Sequence, residues 1–283
     1  MMKIVKLVII PFFSVFALSG CFQEAGETIA EKYLDQADPG RNADRSIKKP
    51  ATEVTDPVEQ YKLGMAYAKK GLHYYAKEVV HLYTQSANQG NIDAQAALGK
   101  FYYKDAKSVL VKHYEQDLTE AVSWFKRASD QGHIISMMSL GEIYQQGGTG
   151  LLKDPEQSKH FYSKGITSYK AKAEKGDVTA QYTLGSIYKD GKATQKDLSE
   201  AMIWLEKAAL NGHKNAQFEM GREYSSGLGV EKDFVRGLAW YEVARYYGMK
   251  FTSVFRHKEE DIAKAVVISK ELIQQIEENK KQL

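Results

Sequence analysis

Apolar residues return along this chain in a repeating frame. Leu63-Gly64, Leu98-Gly99, Leu140-Gly141, Leu184-Gly185 and Met220-Gly221 are each followed by a tyrosine, at positions 67, 102, 144, 188 and 224. Successive glycines of this motif lie 35, 42, 44 and 36 residues apart. Around each motif the apolar positions keep helical spacing. In the fourth copy, Ala180, Leu184 and Tyr188 fall on one face at i, i+4 and i+8. A second helical pattern follows each first one, as in Ala121-Val122-Ser123-Trp124-Phe125, Ala201-Met202-Ile203-Trp204-Leu205 and Gly237-Leu238-Ala239-Trp240-Tyr241. A period near 36 with two helices per unit predicts a stack of helix pairs in which each pair buries the face of its neighbour.

The helix ends are marked as clearly as the faces. Asp117-x-x-Glu120, Asp154-x-x-Gln157 and Asp197-x-x-Glu200 have the form of capping boxes at the starts of second helices, and Pro155 takes the favoured first position. Asp233 holds the same place without an acidic partner three residues on. Gly132, Gly212 and Gly248 close second helices where a left-handed residue is wanted. Glycine inside a first helix costs about 1 kcal/mol relative to alanine. Its return in every unit therefore predicts a close approach of the paired helix at that point. After Gly248 the frame stops, and residues 261–281 read as one amphipathic helix with Ile262, Val266, Ile273 and Ile276 inward. Such a helix closes the open end of an array.

The units are not uniform. The first lacks the tryptophan and has Leu82-Tyr83 in its place. The second carries about six extra residues around 104–116, and the third gains seven within its second helix, between Phe161 and Gly176. Seven residues is close to two helical turns, so that helix keeps its face and projects further. Such insertions gather on the binding side of a solenoid or reflect neutral drift in length, two readings of equal standing.

The first 56 residues follow different rules. Lys3 and Lys6 precede an apolar run over residues 7–18, too short to span a bilayer comfortably, and then come Ser19, Gly20 and Cys21. Leu18-Ser19-Gly20-Cys21 resembles the lipobox of bacterial lipoproteins. That resemblance implies cleavage before Cys21 and acylation of its sulfur and its new amino group, and two or more chains suffice for stable anchoring. Phe22 rather than Asp follows the cysteine, which favours outer-membrane sorting over inner. Residues 22–56 contain Asp38-Pro39-Gly40 and Lys48-Lys49-Pro50 and read as a tether reaching roughly 30 Å. The expected organisation is a signal peptide over 1–20, a lipidated cysteine and tether over 21–56, five repeats over 57–248, and a capping helix over 249–283.

Several functional classes recede on composition. Removing Lys3 and Lys6 with the leader leaves 37 basic residues against 36 acidic ones, too balanced to hold nucleic acid by its phosphates. A single cysteine rules out an intrachain disulfide and a cysteine-rich zinc site.

The repeats resemble the Sel-one-like repeat family, relatives of the tetratricopeptide repeat. The resemblance rests on Leu-Gly-x-x-Tyr of the first helix, on Gly229-Val230-Glu231-Lys232-Asp233 of the loop, and on residues 201–209 of a second helix. It covers residues 57–248 and implies an all-α fold, a right-handed α/α superhelical solenoid of about five helix-pair repeats with a C-terminal capping helix. It also implies a concave surface lined by first helices. Candidates to meet a protein partner there are Gln60, Gln95, Lys100, Glu142, Gln181, Gln217 and Arg222. The four glutamines share one repeat position, so packing is an equal reading for them.

Chemistry is scarce. None of the seven histidines forms His-x-x-x-His, and neither a Gly-x-Ser-x-Gly elbow nor a phosphate loop occurs. The Asp before each second helix reads as a cap, and the repeated tyrosines as core. No catalytic residue, metal or cofactor is assigned. The leading expectation is a membrane-anchored, periplasm-facing adaptor that binds envelope proteins. An immunity lipoprotein neutralising a secreted toxin such as a phospholipase comes second. An enzyme acting on cell wall or β-lactams comes third, because the family branch linked to β-lactams pairs cysteines within its repeats and this chain has none there.

Overall fold

The computed structural model describes residues 54–105, 116–251 and 258–282. The leader, Cys21 and nearly all of the tether lie outside them, as does most of the length difference in the second unit. Among the described residues the chain runs through α1 (Pro57–Asn88), α2 (Ile92–Lys100), a π-helical turn (Phe101–Asp105), α3 (Leu118–Asp130) and α4 (Ile134–Gln146). It continues through α5 (Pro155–Glu174), α6 (Val178–Asp190), α7 (Leu198–Leu210), α8 (Lys214–Ser226), α9 (Phe234–Tyr246) and α10 (Glu259–Lys280). α1 is itself a helix pair. Its backbone breaks at Gly71, where φ is 155°, and its two arms meet where Tyr83 faces Gly64. Among the described residues, consecutive helices pack on one another from α1 to α10, with smaller contacts of α2 with α4 and of the terminal α10 with α7, which is close to the one-dimensional pattern of a solenoid.

The repeated glycine sets how closely each pair packs. A methyl group on Gly99 would lie 2.6 Å from the Phe125 ring, and one on Gly141 would lie 2.5 Å from the Tyr162 ring. At Gly221 the distance to Tyr241 would be 2.6 Å, and at Gly185 the atom met is Leu205 Cγ at 2.8 Å. In each unit a large side chain of the second helix sits against the motif glycine of the first. The leucine before the glycine is sealed beside it, with Leu63, Leu98, Leu140 and Leu184 all buried.

Capping departs from the sequence expectation in an informative way. Asp117, Asp154, Asp197 and Asp233 do cap α3, α5, α7 and α9, each accepting from the backbone N–H three residues on at 2.9 Å. The reciprocal half of the box is absent. The N–H of each aspartate donates instead to the carbonyl of the repeated tyrosine, at positions 102, 144, 188 and 224. Glu120 and Glu200 are thereby released to accept from the indole N–H of Trp124 and Trp204, at 2.8 and 2.9 Å. The motif tyrosine thus has two uses, its ring in the core and its carbonyl as the stop for the following loop.

Two further differences concern lengths and faces. α5 has 20 residues where α3, α7 and α9 have 13, so the seven extra residues are absorbed within the helix as expected. In α10 the inward line is Ala265, Ser269, Leu272 and Ile276, with Ile273 partly buried. Ile262 and Val266, expected inward, are 45% and 38% exposed. The small residues Ala265 and Ser269 let the start of α10 approach the array closely, and this rotates the larger residues outward.

Candidate interaction surface on the first helices

The four glutamines of the candidate set are not on an open surface. Gln60, Gln95, Gln181 and Gln217 are at most 5% exposed. Gln95, Gln181 and Gln217 each donate from Nε2 to a carbonyl of the preceding second helix, on Ala87, Ala173 and Ala209, at 3.0–3.1 Å. Gln60, on the first described pair, donates to the Val54 carbonyl at 2.7 Å. In three of the four, Oε1 then accepts from the amide side chain that ends its own second helix: Gln89 for Gln60, Gln131 for Gln95 and Asn211 for Gln181, at 2.8–2.9 Å. One carboxamide therefore ties together three successive helices. A buried amide needs such partners, and a protein partner cannot reach it. The assignment of these glutamines to partner binding is corrected to a structural role.

Lys100, Glu142 and Arg222 remain. They occupy one register, the residue after the motif glycine on α2, α4 and α8, and so lie in the same layer of first helices. Lys100 is exposed. Glu142 accepts from Lys104 at 3.3 Å across the α2–α4 step. Arg222 belongs to a tighter group. It pairs with Glu219 and Glu223, while Lys189 of α6 reaches across to Glu219 and stands 4.0 Å from Glu223. Burial works against the charge on Arg222, but the Glu223 hydrogen bond and the charges of Glu219 and Glu223 outweigh it and raise its pKa. Tyr182 and Tyr241, beside the group, have raised pKa values, chiefly from burial and secondarily from Glu219, with Glu223 also acting on Tyr241.

Glu223 was missed by sequence reasoning, although a signal existed. It is 3% exposed and stands in the register held by Phe101, Ile143 and Ile187 in earlier units. An acid in an apolar column, flanked by Arg222, announces a buried ion pair. Such pairs seldom stabilise a fold more than apolar residues would, so their use is in fixing geometry. Here the group holds the charged tips of Lys189 and Arg222 in fixed positions on the surface of the first-helix layer.

His133 and His213 cap α4 and α8 through Nδ1. Among the described residues there is no cluster of three or more histidine, cysteine, aspartate or glutamate side chains suited to a metal ion, and no helix long and apolar enough to cross a membrane.

With this geometry in place, comparison with known proteins is decisive on family. The model described as Sel1 repeat matches residues 92–133, 134–168, 178–213 and 214–245. The chain belongs to the Sel1 repeat family. The Sel1 matches begin at α2, and the pair within α1 extends the array ahead of them. A sel1-like repeat-containing protein of Acanthamoeba polyphaga mimivirus is 30% identical over 59% of this chain and 26% of its own length. The exopolysaccharide production negative regulator of Rhizobium meliloti is 25% identical over 57% of this chain and 59% of its own. This chain thus spans about a quarter of the first relative and somewhat more than half of the second. Among solved structures, a Sel1 repeat protein from Oxalobacter formigenes aligns with a TM-score of 0.51 and 26% identity, covering 78% of this chain and 86% of that one. As a Sel1-repeat scaffold, the molecule has the architecture of a protein–protein interaction module.

Proposed function

We propose that this protein is a scaffold of the bacterial cell envelope, held to lipid through acylated Cys21, facing the periplasm and binding a protein partner along its layer of first helices. The observation that carries the reading is the ordered row of charged side chains on that layer. Lys100, the Lys104–Glu142 pair and the Lys189–Glu219–Arg222–Glu223 group lie on successive first helices, while the buried glutamines of the same helices bond to neighbouring backbone carbonyls. A solenoid presents such a row over a length that suits an extended or folded protein surface, and ion pairs fixed before binding lose little entropy on contact. The Leu18-Ser19-Gly20-Cys21 pattern supports the anchor, and the absence of Asp after the cysteine supports the outer membrane as its destination. The name of the Rhizobium relative, a negative regulator, is in keeping with action through a partner rather than on a substrate.

The test is crosslinking in intact cells followed by affinity purification and mass spectrometry, with Cys21→Ala as control. Recovery of a recurrent envelope complex that is lost with the anchor is the expected result. Recovery of one secreted toxin, with or without the anchor, would replace the scaffold reading by toxin immunity.

A further inference from the structure

From α2 onward the caps of the first helices alternate in chemistry. Asn91 and Asp177 cap α2 and α6, accepting from the N–H of Ala94 and Ala180 at 2.9 and 2.8 Å. α4 and α8 are capped by imidazoles instead. The Ser136 N–H donates to His133 Nδ1 at 3.2 Å, and the Ala216 N–H donates to His213 Nδ1 at 3.3 Å. A backbone N–H can only donate, so each Nδ1 carries its lone pair there and the neutral ring holds its proton on Nε2. An amide cannot lose this acceptor role and a carboxylate does so only in strong acid, whereas an imidazole loses it by taking up one proton.

We propose that His133 and His213 form two acid-sensitive joints in the array: proton uptake at Nδ1 releases the first turns of α4 and α8 and loosens the steps from α3 to α4 and from α7 to α8. These are steps between pairs, and they are less extensive than the contacts within pairs. The surroundings oppose the imidazolium on several sides. The positive end of each helix dipole faces the ring it would charge. Around His133, Asp93 on α2 favours the charged form and Lys172 on α5 disfavours it, and burial is the largest influence, lowering the pKa. His133 also has the Ser136 hydroxyl at 2.8 Å, which can accept from a protonated Nδ1 but leaves the Ser136 N–H without its partner. His213 has no such hydroxyl. Its ring stacks on Tyr182 of α6 with centroids 4.1 Å apart, Lys214 follows it in sequence, and the Lys280 side chain of α10 lies against the adjoining Gly212. Burial lowers its pKa as well. Because the folded values lie below the ordinary 6.5, the caps contribute fully above that pH. Their contribution is lost as the pH falls from there through the folded values.

The experiment is hydrogen exchange by mass spectrometry on the full chain, solubilised from cells, at about pH 7.5 and about pH 5.5, corrected for intrinsic rates. Protection over 134–140 and 214–220 is expected to fall about fivefold or more in acid, the effect of losing one cap, while 92–98 and 178–184 keep theirs. In His133→Asn/His213→Asn, which carries the α2 cap at both joints, the acid-induced fall should vanish. An equal fall in all four segments, or its persistence in the double variant, would overturn the proposal. Should that variant not fold, nitrogen NMR of the wild-type imidazoles decides. A proton on Nδ1 of either ring at neutral pH contradicts the geometry, and a proton on Nε2 supports it.

Discussion

The fourth helix pair, α6 with α7, and the last, α8 with α9, carry the same motif and satisfy it differently. In the fourth, Gln181 donates to Ala173 and accepts from Asn211, and the Trp204 indole donates to Glu200. In the last, Gln217 keeps its bond to Ala209, but its Oε1 is buried without a partner, and so is the indole nitrogen of Trp240. Two substitutions explain both orphans. Tyr247 stands where the first, second and fourth pairs end in Gln89, Gln131 and Asn211, and Arg236 stands where Glu120 and Glu200 serve the tryptophan. Neither substituted side chain is idle. Tyr247 donates to Glu277 of α10 at 2.6 Å and lies under the Lys280 ammonium. Arg236 covers the Tyr224 ring and reaches Glu206. At Tyr247 the last pair gives up an internal partner to seat the capping helix, and at Arg236 it exchanges one for contacts within the array.

The comparison can be broken or sharpened by substitution. The largest effect should be one that the two regions share. Gly185→Ala and Gly221→Ala force a methyl group onto Leu205 and Tyr241 and are each expected to destabilise by about 1–3 kcal/mol, despite alanine's better helix propensity, as measured by urea denaturation. The regions should then part. Gln181→Met removes two satisfied hydrogen bonds and leaves Asn211 unpaired, for a loss of about 1–2 kcal/mol, whereas Gln217→Met deletes an orphan along with its one bond and is expected to be close to neutral. Equal losses at the two sites would refute the account of the glutamine tie. Arg236→Gln supplies a neutral acceptor for Trp240 and should raise stability by about 1 kcal/mol, since the exposed Arg236–Glu206 pair contributes little. Smallest in net effect is Tyr247→Gln. It offers Gln217 its missing amide while releasing Glu277, so exchange should slow in α8 and quicken in the last turns of α10, with the melting temperature almost unmoved.

The glutamines also show where a sequence stops being legible. Helix pairs, their glycines and their aspartate caps are local signals, each complete within a few residues, and all appear in the structure where the pattern puts them. The partner of Gln95 lies 36 residues away, at Gln131, and the partner of Gln181 lies 30 away, at Asn211. A polar residue read alone looks like surface, and only the stacking of pairs reveals that its needs are met inside. The capping box is half legible for the same reason, because the carbonyl that displaces its return bond comes from the previous helix. In α10 the apolar pattern was read correctly as amphipathic, but Ala265 and Ser269, too small to weigh in such a pattern, decide which side faces the array. On the candidate surface, Lys100, Glu142 and Arg222 were proposed from the sequence as lining the first-helix face, and Glu223 escaped because an acid was not sought in an apolar column.

The central claim is that the first-helix layer, through its ordered charges, is where a partner binds. It is tested most directly by in-cell crosslinking with Glu142→Lys/Arg222→Glu, set against Lys126→Glu on the second helix α3, with the melting temperature of each variant measured alongside. The account predicts that the first variant loses the partner while remaining folded and that the second retains it. Undiminished capture by the folded first variant would contradict it.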